Sequence, residues 1–259
     1  MAPFSPQHTL RLGRLDTPVE EPLLVGIEDL PYVDVQRFDT SALVEAFAAG
    51  ALDAAVLPPL AAFRLSDVHI VPGVALCAHE VETLPRIYFT DTPENIRTVW
   101  IGDDPWQCGE VLALVLAHLS GGMPRVVPVA EAAEEWAQTP SALLSSTSSP
   151  ECKVDTNPRV ADSHDFLPFF QRVCETPLPL RIWVCRIRTP HASVRYCAAF
   201  CRRRALEKAG QRYNGNTTCA PLSVPKYFLG QEAAQTLRWL FRRAAAQGLS
   251  ARGGDLTFC

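Results

Sequence analysis

Apolar and polar residues alternate over Leu10-Arg11-Leu12-Gly13-Arg14-Leu15, with the two-residue period of a half-buried strand. Thr17-Pro18 breaks the run, and Glu20-Glu21-Pro22 prolongs the turn. Residues 33–38 alternate again. Asp39, Thr40 and Ser41 then offer N-caps to a short helix whose apolar face is Leu43, Val44 and Phe47. Gly50 is a natural helix stop. Residues 52–57 read as a buried strand ended by Pro58-Pro59. A β-α-β unit with such short connections predicts a parallel sheet.

The same pattern returns further along. Residues 70–76, 86–89 and 98–101 are strand candidates. Asp104-Pro105-Trp106-Gln107 has the form of a helix start, with Asp as N-cap, Pro at the first helical position and Gln to complete a capping box. Val111, Leu112, Val115, Leu116 and Leu119 give that helix its apolar stripe, and Gly121-Gly122 ends it. Residues 126–129 and 142–144 read as strands around a short helix at 130–138, which completes a second set. Residues 145–155 are polar and without period, hence a loop. Residues 166–173 read as a helix, and 181–187 as a strand returning toward the first set. Residues 191–210 and 231–247 read as helices, the second with Ala233, Leu237, Leu240, Phe241 and Ala244 on one face and Gly248 as its stop. Two β-α-β sets and a late return strand predict two lobes, one from 1–90 with 190–259 and the other from 91–189.

Composition supports a globular chain: 259 residues, 47% of them apolar and 20% charged. No apolar run approaches the ~20 residues of a membrane span, so no membrane partner is expected. The first sixteen residues show neither a continuous apolar stretch nor a small-residue cleavage site, so the cytoplasm is the expected location. Nine cysteines at irregular spacing fit reduced, mostly buried thiols. The net charge of −4 conceals an asymmetry. Residues 1–180 carry 10 Lys/Arg against 25 Asp/Glu, and residues 181–259 carry 14 against 3. No nucleic-acid motif accompanies the basic third, so we read it as the outer faces of C-terminal helices and expect no nucleic-acid partner.

Local chemistry is sparse. Cys197 and Cys201 share a helix face, yet no second Cys/His pair has matching spacing, so we read them as buried thiols and expect no metal. His79-Glu80 and His164-Asp165 are neighbours in the chain, and in a strand neighbours point to opposite faces, which is poor geometry for an acid/base pair. Cys108 lacks a thiol-protease signature, and neither a Walker sequence nor a dinucleotide fingerprint occurs. The helix start near Asp104 can present backbone N–H groups to an anion, unless Asp104 itself occupies them.

Taken in order, several segments resemble the chorismate dehydratase family of menaquinone biosynthesis. They are Leu10-Arg11-Leu12-Gly13-Arg14-Leu15 with Pro22-Leu23, Gly50-Ala51-Leu52-Asp53-Ala54-Ala55 with Val56-Leu57-Pro58, Val71-Pro72-Gly73-Val74, Glu94-Asn95-Ile96, Pro177-Leu178-Pro179-Leu180-Arg181-Ile182, and the final helix to Gly248-Leu249. The resemblance implies a two-lobed periplasmic-binding-protein-like (type II) α/β fold with two crossover strands and a ligand held between the lobes. It implies dehydration of chorismate to 3-[(1-carboxyvinyl)oxy]benzoate on the futalosine route, without metal or organic cofactor. The partner is then a small anionic ligand such as chorismate, and the oligomeric state stays open. At the position of the family's catalytic Asn this chain has Val19. Thr83 stands where the family has a substrate-binding Ser, and Gln107, Cys108 and Gly109 close the turn that holds a carboxylate there. Ser145 and Ser146 follow the late second-lobe strand. The loss of Asn favours a non-catalytic binding protein of the same fold as the alternative. A polar side chain brought to the ligand from Arg14, Glu20 or Glu21 favours the enzyme.

Overall fold

The computed structural model describes residues 9–15, 18–78, 84–102, 108–129, 139–145, 160–214, 228–250 and 256–259. For Pro18, Val19, Pro22 and residues 208–214 it describes the backbone alone. The chain divides into two compact units, residues 1–77, 179–241 and 250–259 in the first, and 78–178 with 242–249 in the second.

The first unit begins with β1, Leu10–Leu15, which pairs in parallel with β2, Val33–Phe38. Between them the chain turns through two 3-10 segments, Pro18–Leu23 and Ile27–Asp29. Helix α1, Thr40–Ala48, starts at Asp39, whose carboxylate accepts the Ala42 N–H at 2.8 Å. Gly50 closes it with φ 81°, a conformation that favours glycine. Strand β3, Ala54–Leu57, lies parallel to β1. It is two residues shorter than the apolar pattern predicts, because Asp53 serves the connection. The Asp53 carboxylate accepts the Arg11 backbone N–H at 2.9 Å and pairs with the Arg11 guanidinium at 2.8 Å. Pro58-Pro59 ends the strand and starts the short helix α2, Pro59–Phe63, with Pro at its first position. Strand β4 follows, Val68–Ala78.

In the second unit β5, Arg86–Phe89, is antiparallel to β8, Ser141–Ser145, on one side. Strand β6, Thr98–Ile101, lies parallel to both β8 and β7, Arg125–Pro128. Helix α3, Cys108–Ser120, links β6 to β7 and ends at Gly121 with φ 78°. Its stripe of Leu112, Val115 and Leu116 is fully buried. The opposite sheet face carries Tyr88, Trp100, Val127 and Leu143, covered by Val129 and Val160. Strand β9, Asp162–Asp165, pairs with β5. Its sequence, Asp-Ser-His-Asp, has no apolar alternation, so pairing along an edge, and not burial, makes it a strand. Helix α4, Phe166–Cys174, follows.

The chain then returns to the first sheet. Strand β10, Leu178–Arg186, is antiparallel to β3 and lies between β3 and β4. The described strands thus form two sheets of five, in orders β2-β1-β3-β10-β4 and β7-β6-β8-β5-β9. Helices α5, His191–Asn214, and α6, Gln231–Ala246, complete the elements. The units divide at 77/78 and 178/179, and again at 241/242 and 249/250. Strand pairing accounts for the first two: β5 bonds to β8 and β9, and β10 bonds to β3.

Gly13 sits in the middle of β1 with α1 laid over it. A Cβ there would overlap Leu52 Cδ1 and lie 2.5 Å from Leu43 Cδ1. Both leucines are fully buried and cannot withdraw into solvent. Gly13→Ala should therefore lower stability by about 1–3 kcal/mol through overpacking, read as a lower denaturant midpoint with unchanged slope. An unchanged midpoint would count against this packing.

Candidate functional site

The parallel strands β1 and β3 end at Leu15 and Leu57, on one edge of the first sheet. Strand β10 runs the other way, with Ile182 opposite Leu57, so Arg181 enters the sheet at that same edge. The carboxyl edge of parallel strands is where open α/β sheets hold their ligands. Three ionisable groups are buried there. Arg14 is 6% exposed, Arg181 3% and Glu20 not at all.

Each owes its place to a local rule. Two-residue alternation puts Arg14 on the face of Leu10 and Leu12, a charged group where the pattern supplies leucine. The 3-10 turn Pro18–Leu23 folds Glu20 back onto the end of β1. Helix α5 packs over this turn. The Leu15 backbone N–H donates to Glu20 Oε2 at 3.0 Å, and Arg181 Nε donates to Glu20 Oε1 at 3.0 Å. Arg181 Nη1 also donates to the Leu180 carbonyl at 2.7 Å, and Arg14 Nε to the Leu15 carbonyl at 3.1 Å. Both Glu20 oxygens are thus engaged. Burial holds the Glu20 carboxyl above the ordinary glutamate range, against the pull of Arg181, the Leu15 N–H and Arg14.

Of the residues expected to touch ligand, Cys108, Gly109 and Ser145 lie among the described residues, all in the second unit. Cys108 and Gly109 open α3 and are buried. Ser145 closes β8 at 5% exposure. The Gly102 N–H donates to the Leu144 carbonyl at 2.8 Å, and a Cβ on Gly102 would lie 3.6 Å from Ser145 Oγ. The ends of β6 and β8 therefore stand side by side. Across β5, Arg86 is opposite both Ser145 and Asp165. Its Nε lies 3.4 Å from Asp165 Oδ1, and Nη2 donates to Ser163 Oγ at 3.3 Å. Thr83, Gln107 and Ser146 lie outside the described residues, as do His79 and Glu80. Val19 falls within the 3-10 turn that carries Glu20.

His164 pairs with Asp162 at 2.8 Å, and not with its neighbour Asp165. Two residues apart in a strand share a face, which neighbours do not. Cys197 and Cys201 are fully buried, and burial pushes their thiols up to about 11 and about 12. Such thiols stay protonated and unreactive near neutrality. Among the described residues no group of three or more His, Cys, Asp or Glu side chains is placed to hold a metal ion, and no helix is long and apolar enough to cross a membrane. Arg181 had no motif to announce it. Its only sequence signal is a lone charge inside the apolar run Leu178-Pro179-Leu180-Arg181-Ile182-Trp183-Val184.

No family model matches this chain, and no curated protein does. Solved structures do resemble it. Protein AF1704 of Archaeoglobus fulgidus superposes with a TM-score of 0.53 at 13% identity, over 94% of this chain and 99% of that one. The periplasmic sulfonate-binding protein SsuA of Methylobacillus flagellatus does so with a TM-score of 0.50 at 11% identity, over 95% and 89%. With the two mixed sheets and their helices, these likenesses define the fold class: the chain has a periplasmic-binding-protein-like α/β fold.

The raised pKa of Glu20 fixes the sign of a pH dependence. Unfolded, the carboxyl ionises near the ordinary glutamate value, and folded it keeps its proton to higher pH. Between those two values the native state holds a proton that the unfolded state has lost, so this group's contribution falls as pH rises through the window. Denaturation from about pH 4 to pH 8 should show this slope in the difference between the parent protein and Glu20→Gln. Arg181→Met should raise the Glu20 pKa further and lower stability near neutrality by about 3–5 kcal/mol, because one buried charge then lacks its partner. Identical pH profiles for all three proteins would contradict the burial of this cluster.

Proposed function

We propose that this chain binds a small carboxylate of the chorismate kind in the cytosol, and that it dehydrates chorismate weakly or not at all. The observation that carries the reading is the buried cluster of Arg14, Glu20 and Arg181 at the carboxyl edge of the first sheet. Arg181 pairs there with Glu20 at 3.0 Å, and the buried Arg14 lies close enough to act on the same carboxylate. A guanidinium offers a planar fork of donors that matches a carboxylate better than an ammonium does. Glu20 serves as the holder of Arg181, since the Leu15 N–H and Arg181 occupy its two oxygens.

The ordered resemblance to the chorismate dehydratase family supports an enolpyruvyl or aromatic acid as ligand. Arg14 and Glu20 at this site favour the enzyme, but the Leu15 N–H and Arg181 take up both Glu20 oxygens. Val19 stands at the position of that family's catalytic Asn, where an isopropyl group neither donates nor accepts a hydrogen bond. Both facts support binding with little or no turnover. The seven described cysteines are all free thiols, which supports a reducing compartment.

Two measurements on the same protein test the reading. Chorismate at tenfold excess over its Kd should raise the unfolding midpoint by roughly 2–4 °C. Arg14→Met keeps the buried stem, loses the charge, and should abolish that shift. Chorismate consumption should stay near the uncatalysed background. No stabilisation by chorismate or by benzoate would defeat the binding reading. Ordinary turnover would defeat only the non-catalytic half of it.

A further inference from the structure

A second pair of titratable groups lies at the other end of the first sheet. The Ile187 N–H donates to the Asp67 carbonyl at 3.0 Å, which sets the start of β4 beside the end of β10. Cys185, near that end, pairs with Ala54 at the amino end of β3. Six residues separate Arg181 from Ile187, about 20 Å of strand, so this end is remote from the Arg14 cluster. Here His69, the second residue of β4, meets His191, the first residue of α5. His69 Nδ1 lies 3.2 Å from His191 Nε2, and the ring centroids are 4.8 Å apart with planes at 53°. Both residues are half-buried, so neither is sealed from solvent.

Two imidazole nitrogens bound to one tetrahedral ion at ~2.0–2.1 Å are themselves ~3.3–3.4 Å apart. The observed separation already suits that bite, with a ligand–metal–ligand angle of roughly 100°. Imidazole is the ligand that zinc, copper, nickel and cobalt share. No thiolate or carboxylate is needed, because water fills the remaining positions of an exchangeable site.

We propose that His69 and His191 form a two-histidine site for a divalent first-row transition ion, which fastens the start of α5 to the start of β4. The two ligands are 122 residues apart in the chain. Binding therefore closes a long loop, and the ion stabilises the fold by mass action. The affinity order should follow the general series, with copper tighter than nickel, and nickel tighter than cobalt.

The test uses Co2+ and Ni2+ on the full chain, kept reduced with a phosphine. One equivalent of Co2+ should bind saturably, with visible bands and without a thiolate-to-cobalt charge-transfer band. Tenfold excess over Kd should raise the unfolding midpoint by roughly 3 °C. His69→Gln and His191→Gln should each weaken binding at least tenfold and remove that rise. Far-UV circular dichroism and the metal-free midpoint establish that each variant is folded. If His69→Gln fails to fold, His191→Gln decides alone, since it changes only the first residue of a helix. No saturable binding below about 1 mM would overturn the proposal and leave the pair as an N–H···N hydrogen bond. Binding that survives both substitutions, or that shows thiolate charge transfer, would overturn it equally.

Discussion

The ion pair between Glu20 and Arg181 is the constraint on which the first unit turns. Its partners are separated by 161 residues, and neither is exposed by more than 3%. Burying two charges is unfavourable unless every lone pair and donor is answered. Here the Leu15 N–H answers one carboxylate oxygen and Arg181 the other, while the Leu180 carbonyl takes a further guanidinium proton. The exit turn of β1, the entry of β10 and the packing of α5 are thereby fixed against each other. An apolar residue at either position would hold the turn less specifically, because it could slide along its neighbours.

The opposite end of the same sheet is held by a more exposed set of polar links. Arg11 reaches Asp53 and the Gly50 carbonyl, Arg186 Nη1 donates to the Phe47 carbonyl at 2.7 Å, and Thr189 Oγ1 donates to the Asp53 carbonyl. These bonds anchor the connection between α1 and β3. The two ends therefore differ in kind. One is dry and charged, and the other is half-wet and carries the histidine pair.

Most elements were legible because their apolar residues repeat at the period of the element they form. β1, β2, β5 and β6 keep the limits that alternation marks, and α1 and α6 begin and end near their caps and glycines. β9 was not legible, since an edge strand needs only backbone partners. The candidate site was less legible than the fold. Ser145, which the pattern assigns to a loop, is the last residue of β8, and Cys108 and Gly109 are the first described residues of α3, whose expected start at Asp104 lies outside the described residues. Arg14 and Glu20 were visible as polar residues near the first turn. Arg181 and the histidine pair were not, because their meaning depends on partners more than 100 residues away. Spacing rules report neighbours along the chain and are silent on such pairs.

The strand order of the first sheet has a consequence for synthesis. Among the described strands β4 joins the sheet through β10, whose first residue follows the end of β4 by 100 residues. A ribosome adding about 5–20 residues per second needs roughly 5–20 s to make that stretch. Throughout that interval an eleven-residue strand, mostly apolar, has emerged without its partner. The first unit thus cannot complete its sheet while the second is being translated. A nascent chain of this kind presents an open β edge to its surroundings until β10 has been made.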